Sequence, residues 1–77
     1  MVDRAIKYFN KALEIDPNFD LALNNKAVYL MNQGNYTEAI KYFNKALEID
    51  PTNEDALEFK EKAGKFLLTA YRGPLHL

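Results

Sequence analysis

The chain has no cysteine and no tryptophan, and its 77 residues include one histidine, three glycines and three prolines. Without cysteine there is no disulfide, no thiolate metal ligand and no thiol nucleophile. His76, beside the C-terminus, cannot build a histidine metal cage or a supported catalytic triad. No sign of charge dominates either. Ten Lys and Arg against eleven Asp and Glu leave a net charge of −1, which argues against nucleic acid or an acidic membrane held by bulk electrostatics. No apolar run reaches eighteen residues, so no bilayer-spanning helix is expected. The opening MVDRAIKYFNKAL is amphipathic and lacks the continuous apolar stretch of a secretory signal. A cytoplasmic location is therefore expected. At 48% hydrophobic and 27% charged the composition is globular, too apolar for disorder, and the length allows one small domain. With so few glycines and prolines, the elements between them should be long.

Internal repetition is the strongest positive signal. The stretch AIKYFNKALEIDP stands at Ala5–Pro17 and again, unchanged, at Ala39–Pro51, an offset of 34 residues. A weaker echo follows, in which Ala22, Leu23 and Lys26 recur as Ala56, Leu57 and Lys60 before the likeness fades. Within the block, Ala5, Phe9 and Ala12, with Ile6 and Leu13, recur at three-, four- and seven-residue spacing. Arg4, Lys7, Asn10, Lys11 and Glu14 fall on the other side. This is the pattern of an amphipathic helix. Each copy ends at Glu-Ile-Asp-Pro, where proline stops the helix because it lacks the N–H that would continue the ladder.

A second helical segment separates the copies. Asn18 or Asp20 is expected to cap its start, and Gly34 suits the left-handed residue beyond its end. Asn35 followed by Glu38 suggests a variant capping box. A last helix should begin near Asn53, with Glu54 and Asp55 in its positive first turn, and stop at Gly73-Pro74. The expectation is an all-α chain of four helices, at about 2–15, 19–33, 36–49 and 53–71. Short turns force consecutive helices to lie antiparallel.

A 34-residue helix–turn–helix unit with Ala39, Phe43, Ala46 and Pro51 on its second helix resembles the tetratricopeptide repeat. Gly34 and Tyr36 stand at that family's inter-helix glycine and tyrosine positions, and Ala27 at its small helix-contact position. Leu23, Lys26 and Leu30 depart from the favoured tryptophan, leucine and tyrosine. The resemblance implies a right-handed stack of antiparallel helices forming one domain over 1–77. Residues 1–19 would be the second helix of a truncated repeat, 20–53 a complete repeat, 54–71 a divergent terminal helix and 72–77 a tail. It also implies a non-catalytic protein-interaction or scaffold module.

The residues themselves offer little chemistry. Gly34, Gly64 and Gly73 are isolated, so no phosphate loop exists. Asp3, Glu14 and Glu38 fall on solvent faces, where a charged helix surface needs no catalytic role. Asp16 and Asp50 precede prolines and suit turns. Tyr8, Phe9, Tyr42 and Phe43 suit inter-helix packing, phenylalanines inside and tyrosines partly out. No enzyme activity, cofactor or metal is expected.

What remains is binding. The resemblance places a concave peptide groove on the first-type helices, at Leu21, Asn24, Asn25, Val28, Met31 and Asn32, with Asp55, Glu58, Phe59, Lys62 and Phe66 on the last helix. Leu21, Val28 and Met31 form a second apolar stripe beside the core stripe of Leu23, Ala27 and Leu30. Either a neighbouring helix buries that stripe or a partner does. The expected partner is a protein or peptide, with no nucleic acid, membrane or metal. The alternative is a self-assembly unit, a homo-oligomer formed through apolar end helices. On that reading Ile6, Phe9, Leu13, Phe66, Leu67, Leu68 and Tyr71 make the contact.

Overall fold

A computed structural model describes the backbone of residues 2–72 and the side chains of residues 4–69. His76 and the stop expected at Gly73-Pro74 lie outside the described residues. Four helices run α1 Val2–Ile15, α2 Asp20–Asn32, α3 Tyr36–Ile49 and α4 Glu54–Arg72, within two residues of the bounds read from periodicity and stop residues. No strand occurs among the described residues. Helix α3 lies against both α2 and α4, α1 packs on α2, and α2 also touches α4. The chain is an all-α helical stack.

The turns follow from local chemistry. Gly34 has φ +83°, and its N–H donates to the Met31 carbonyl while the Asn35 N–H donates to the Leu30 carbonyl. This paired closure satisfies the last carbonyls of α2 and needs a residue without a Cβ penalty at positive φ. The two Asp-Pro turns share another design. Asp16 Oδ1 accepts the Asn18 N–H at 3.1 Å, and Asp50 Oδ1 accepts the Thr52 N–H at 3.0 Å and the Thr52 hydroxyl at 2.7 Å. Those two bonds, the hydroxyl's first, hold the Asp50 carboxyl below its ordinary pKa.

The caps differ from the expectation at two of three sites. Helix α2 starts after Phe19, and neither Asn18 nor Asp20 caps it; α3 starts after Asn35, whose side chain makes no cap bond, so no capping box forms. Glu38 pairs with Lys41 on the surface instead. Only α4 is capped by a side chain among these, Asn53 Oδ1 accepting the Ala56 N–H at 3.1 Å.

The core is one cluster from the last three helices: Leu23, Ala27 and Met31 of α2, Ala39, Phe43 and Ala46 of α3, Ala56 and Ala63 of α4. Five of its eight members are alanine, which lets helix backbones approach closely. Phe43 fills the centre and stacks on Phe59 with ring centroids 6.2 Å apart, and Tyr36 stacks on Phe66 at 5.6 Å. No polar or charged residue is buried among the described residues.

The repeated block supplies an internal comparison. Ala39, Phe43 and Ala46 are 0% exposed, whereas Ala5, Phe9 and Ala12 are only half-buried. Tyr8 is 75% exposed, while Tyr42 is half-buried and lies under Lys26, whose Nζ is 4.4 Å from its ring centroid. Identical side chains in the repeated block differ in burial because, among the described residues, α3 has a helix on each side and α1 has α2 alone.

Candidate protein-binding face

The open face of α2 follows from its helical phase. Ala22, Leu23 and Ala27 turn inward and are buried, so Leu21, Asn25 and Asn32, roughly opposite them, point to solvent. Leu21 is 58% exposed. Val28 and Asn24 are half-buried at the margin of this stripe. Met31, expected with Leu21 and Val28 on a separate apolar stripe, belongs to the core cluster. The helical wheel gives the angle of Met31 correctly but not the packing of the neighbouring helices that brings that angle into the core. The second stripe is thus divided. Neighbouring helices cover Met31 and part of Val28, and Leu21 is left uncovered.

On α4, Asp55 and Glu58 are exposed. Lys62 is also exposed, with Nζ 3.9 Å from Glu58 Oε2 and 5.2 Å from the Phe59 ring centroid. Phe59 is half-buried against Phe43, whereas Phe66 stays half-exposed although it stacks on Tyr36. Asn53 Nδ2 reaches Asp20 Oδ2 at 3.5 Å, tying the first turns of the two helices together. Between these open ends lies Asn24, whose Oδ1 is buried without a hydrogen-bond partner among the described residues. A buried amide oxygen lacking a donor is uncommon and costly in a folded protein.

Of the residues expected at self-association surfaces, Leu13 packs against the core cluster and Phe9 meets Tyr29 edge-on at 6.3 Å. Both are therefore engaged with α2. Ile6 and Leu67 are half-buried, Leu68 is 54% exposed, and the Tyr71 side chain lies outside the described residues. The larger uncovered apolar groups of α1 and the turn after it are Tyr8, Ile15 and Phe19.

One structural role was not anticipated. The Lys26 ammonium donates to Asn10 Oδ1 of α1, on the polar side of that helix, while resting on Tyr42 of α3. With Leu13, Pro17, Leu23 and Lys45 they line an open cleft where three helices meet. The signal available in sequence was the recurrence of Lys26 as Lys60.

Two profiles of the tetratricopeptide repeat match the chain, over residues 21–53 and 1–19, together more than half its length. The chain belongs to the tetratricopeptide repeat family. A comparison with curated proteins finds no significant match. Tetratricopeptide repeats generally mediate protein–protein interaction and scaffolding and are generally non-catalytic. Among the described residues, no helix is long and apolar enough to cross a membrane, and no group of three or more His, Asp or Glu is placed to hold a metal ion. Gly34, Tyr36, Ala39, Phe43 and Ala46 are the repeat's structural positions here. The exposed residues of α2 and α4 are free of that duty.

Proposed function

We propose that this tetratricopeptide repeat binds an extended peptide segment of a partner protein along the face shared by α2 and α4. Asn24, Asn25, Asn32 and Lys62 supply its polar contacts, and Leu21, Val28, Phe59 and Phe66 its apolar ones. Met31 supports the face from beneath. Side-chain amides carry both a donor and an acceptor, which matches the alternating N–H and C=O groups of an extended backbone. Leu21 and Phe66, half or more exposed at the two sides, suit apolar side chains of such a segment. The observation that supports the reading is the pairing of exposed apolar groups, Leu21 at 58% and Phe66 at 51%, with the exposed amides of Asn25 and Asn32.

The test is selection of peptides from a random display library on the immobilised domain, followed by calorimetric titration of the recovered sequences. Leu21→Glu and Asn24→Leu are expected to weaken binding by about tenfold or more, equivalent to about 1.4 kcal/mol, with the helical circular dichroism unchanged. Recovered peptides that bind both variants as tightly as the parent would overturn the assignment of the face.

A further inference from the structure

We propose that the cleft between α1, α2 and α3 is a second docking surface and takes an acidic residue of a partner peptide. The carboxylate sits between Lys26 and Lys45, and an adjoining apolar side chain lies against Leu13 and Pro17. This cleft is distinct from the face shared by α2 and α4. Lys26 and Val28 are two residues apart on α2, which sets them about 160° apart round the helix. The wall from α1 is the side that meets α2, where Asn10 binds Lys26 and Leu13 packs on the core. Helix α4 contributes nothing to the lining.

Charge selects the occupant. Two ammonium groups line the cleft and no carboxylate does. The ion pairs among the described residues are Lys41 with Glu38 and Lys62 with Glu58, so Lys26 and Lys45 are left without an acidic partner there. The positive charge is local. The whole chain carries −1, which favours a single carboxylate over a polyanion such as nucleic acid.

Lys26 is fixed before any ligand arrives. Its ammonium donates to Asn10 Oδ1 and rests 4.4 Å from the Tyr42 ring centroid. An ammonium has three donors, so capacity remains for a carboxylate. Because the side chain is already held, it loses less entropy on binding than a free surface lysine. Lys45 is exposed and stands one turn along α3 from Tyr42. Leu23, 1% exposed, closes the floor, while Leu13 is half-buried and Pro17 exposed at the rim. The cleft holds about 180 Å³, less than the roughly 300–1,000 Å³ of small-molecule pockets. That space suits a side chain of a peptide rather than a cofactor.

The echo of α2 in α4 bears on the same two residues. Over the length of α2 only Ala22, Leu23 and Lys26 recur 34 residues later, and Leu23 and Lys26 are the α2 residues of the cleft. Packing accounts for the buried Ala22 and Leu23. It does not call for a lysine.

The test is a two-dimensional amide NMR titration of the isotope-labelled chain. The probes are capped pentapeptides holding one glutamate beside one leucine, and the same peptides with glutamine in place of glutamate. The glutamate peptides are expected to shift the signals of Asn10, Lys26, Tyr42 and Lys45 and to leave those of Leu21 and Asn32 unmoved. The glutamine peptides should bind about three- to tenfold more weakly. Lys45→Gln, at an exposed position with no internal bond among the described residues, should weaken glutamate-peptide binding about two- to fivefold with an unchanged melting temperature. Lys26→Gln should weaken it at least as much. At about 1 M salt, where screening acts within about 3 Å, the preference for glutamate should vanish. Equal binding of the two peptide sets, full affinity in Lys45→Gln, shifts confined to the α2–α4 face, or no shift up to about 5 mM peptide overturns the proposal. A stronger response to inorganic phosphate or to a single-stranded oligonucleotide also overturns it, assigning the cleft to phosphate.

Discussion

Phe9 and Phe43 have the same neighbours in sequence for several residues on either side, so Phe9→Ala and Phe43→Ala differ almost solely in tertiary setting. Helix propensity, side-chain entropy and unfolded-chain effects are matched between the two. Phe43 is fully buried and stacked on Phe59, and truncating such a ring costs about 3–5 kcal/mol. Phe9 is half-buried with one edge contact to Tyr29, and by proportion its loss costs ~1.5–2.5 kcal/mol. Against a total stability of roughly 4–12 kcal/mol for a chain of this length, the first change unfolds much of the population at the lower bound and the second does not. Urea titration followed at 222 nm measures the difference. With a slope near 1 kcal/mol per molar urea, the two midpoints should lie about 2 M apart, Phe43→Ala lower. The experiment is done at low micromolar protein, where copies stay apart. Equal midpoints, or a lower one for Phe9→Ala, would refute the claim that the two faces of the repeated helix are differently covered.

Three other outcomes follow from the turns and caps. Gly34→Ala meets no atom within 4 Å of the added Cβ, so its cost is the left-handed backbone alone, about 1–2 kcal/mol. A D-alanine at the same position should recover that loss in thermal melts. Asn53→Ala removes the cap of α4 and the link to Asp20 and should cost about 1 kcal/mol, whereas Asn35→Ala, at a position with no side-chain cap bond, should change the melting temperature little. The lowered pKa of Asp50 means that its contribution to stability is present above the ordinary carboxylate pKa and is lost as pH falls through the folded value. Thr52→Val removes the hydroxyl bond and should move the Asp50 midpoint upward in an NMR carboxyl titration, with no shift counting against the cause assigned.

The helices were legible because period, proline stops and one glycine each act locally. Gly34 was read from its place between two periodic segments, and its positive φ has the physical reason expected. The Asp-Pro turns were equally readable, since Asp16 and Asp50 need only groups two residues away. The caps were less so. Asn18, Asp20 and Asn35 have suitable side chains, but the entry path of the chain, set by packing, places Phe19 or an unbonded Asn35 at the cap position. Met31 illustrates the same limit for the candidate face. Its phase on α2 is clear, but whether that phase meets solvent or a neighbouring helix depends on a crossing that no residue of α2 encodes. Lys26 is the converse case. The sequence marks Lys26 only as a departure from a favoured leucine, and three converging helices show that its stem and charge bind them together. The exposed asparagines and Leu21 were placed by the family resemblance, with helical phase then agreeing.

The repeated block has a consequence for how the chain finds this structure. Two segments thirteen residues long are interchangeable in every side chain, so α2 meets in the unfolded chain two equal candidates for the surface that α3 presents. Local preference cannot choose between them. The choice falls to connectivity and to the flanks: the closure at Gly34 delivers α3 to α2 within three residues, while the Asp16-Pro17 turn delivers α1 to the other side. Tyr36, whose counterpart in the first copy is Val2, adds its stack on Phe66 to the correct frame alone. Gly34 and Tyr36, neither of which recurs 34 residues away, are what keep a 34-residue slip from competing with the native frame.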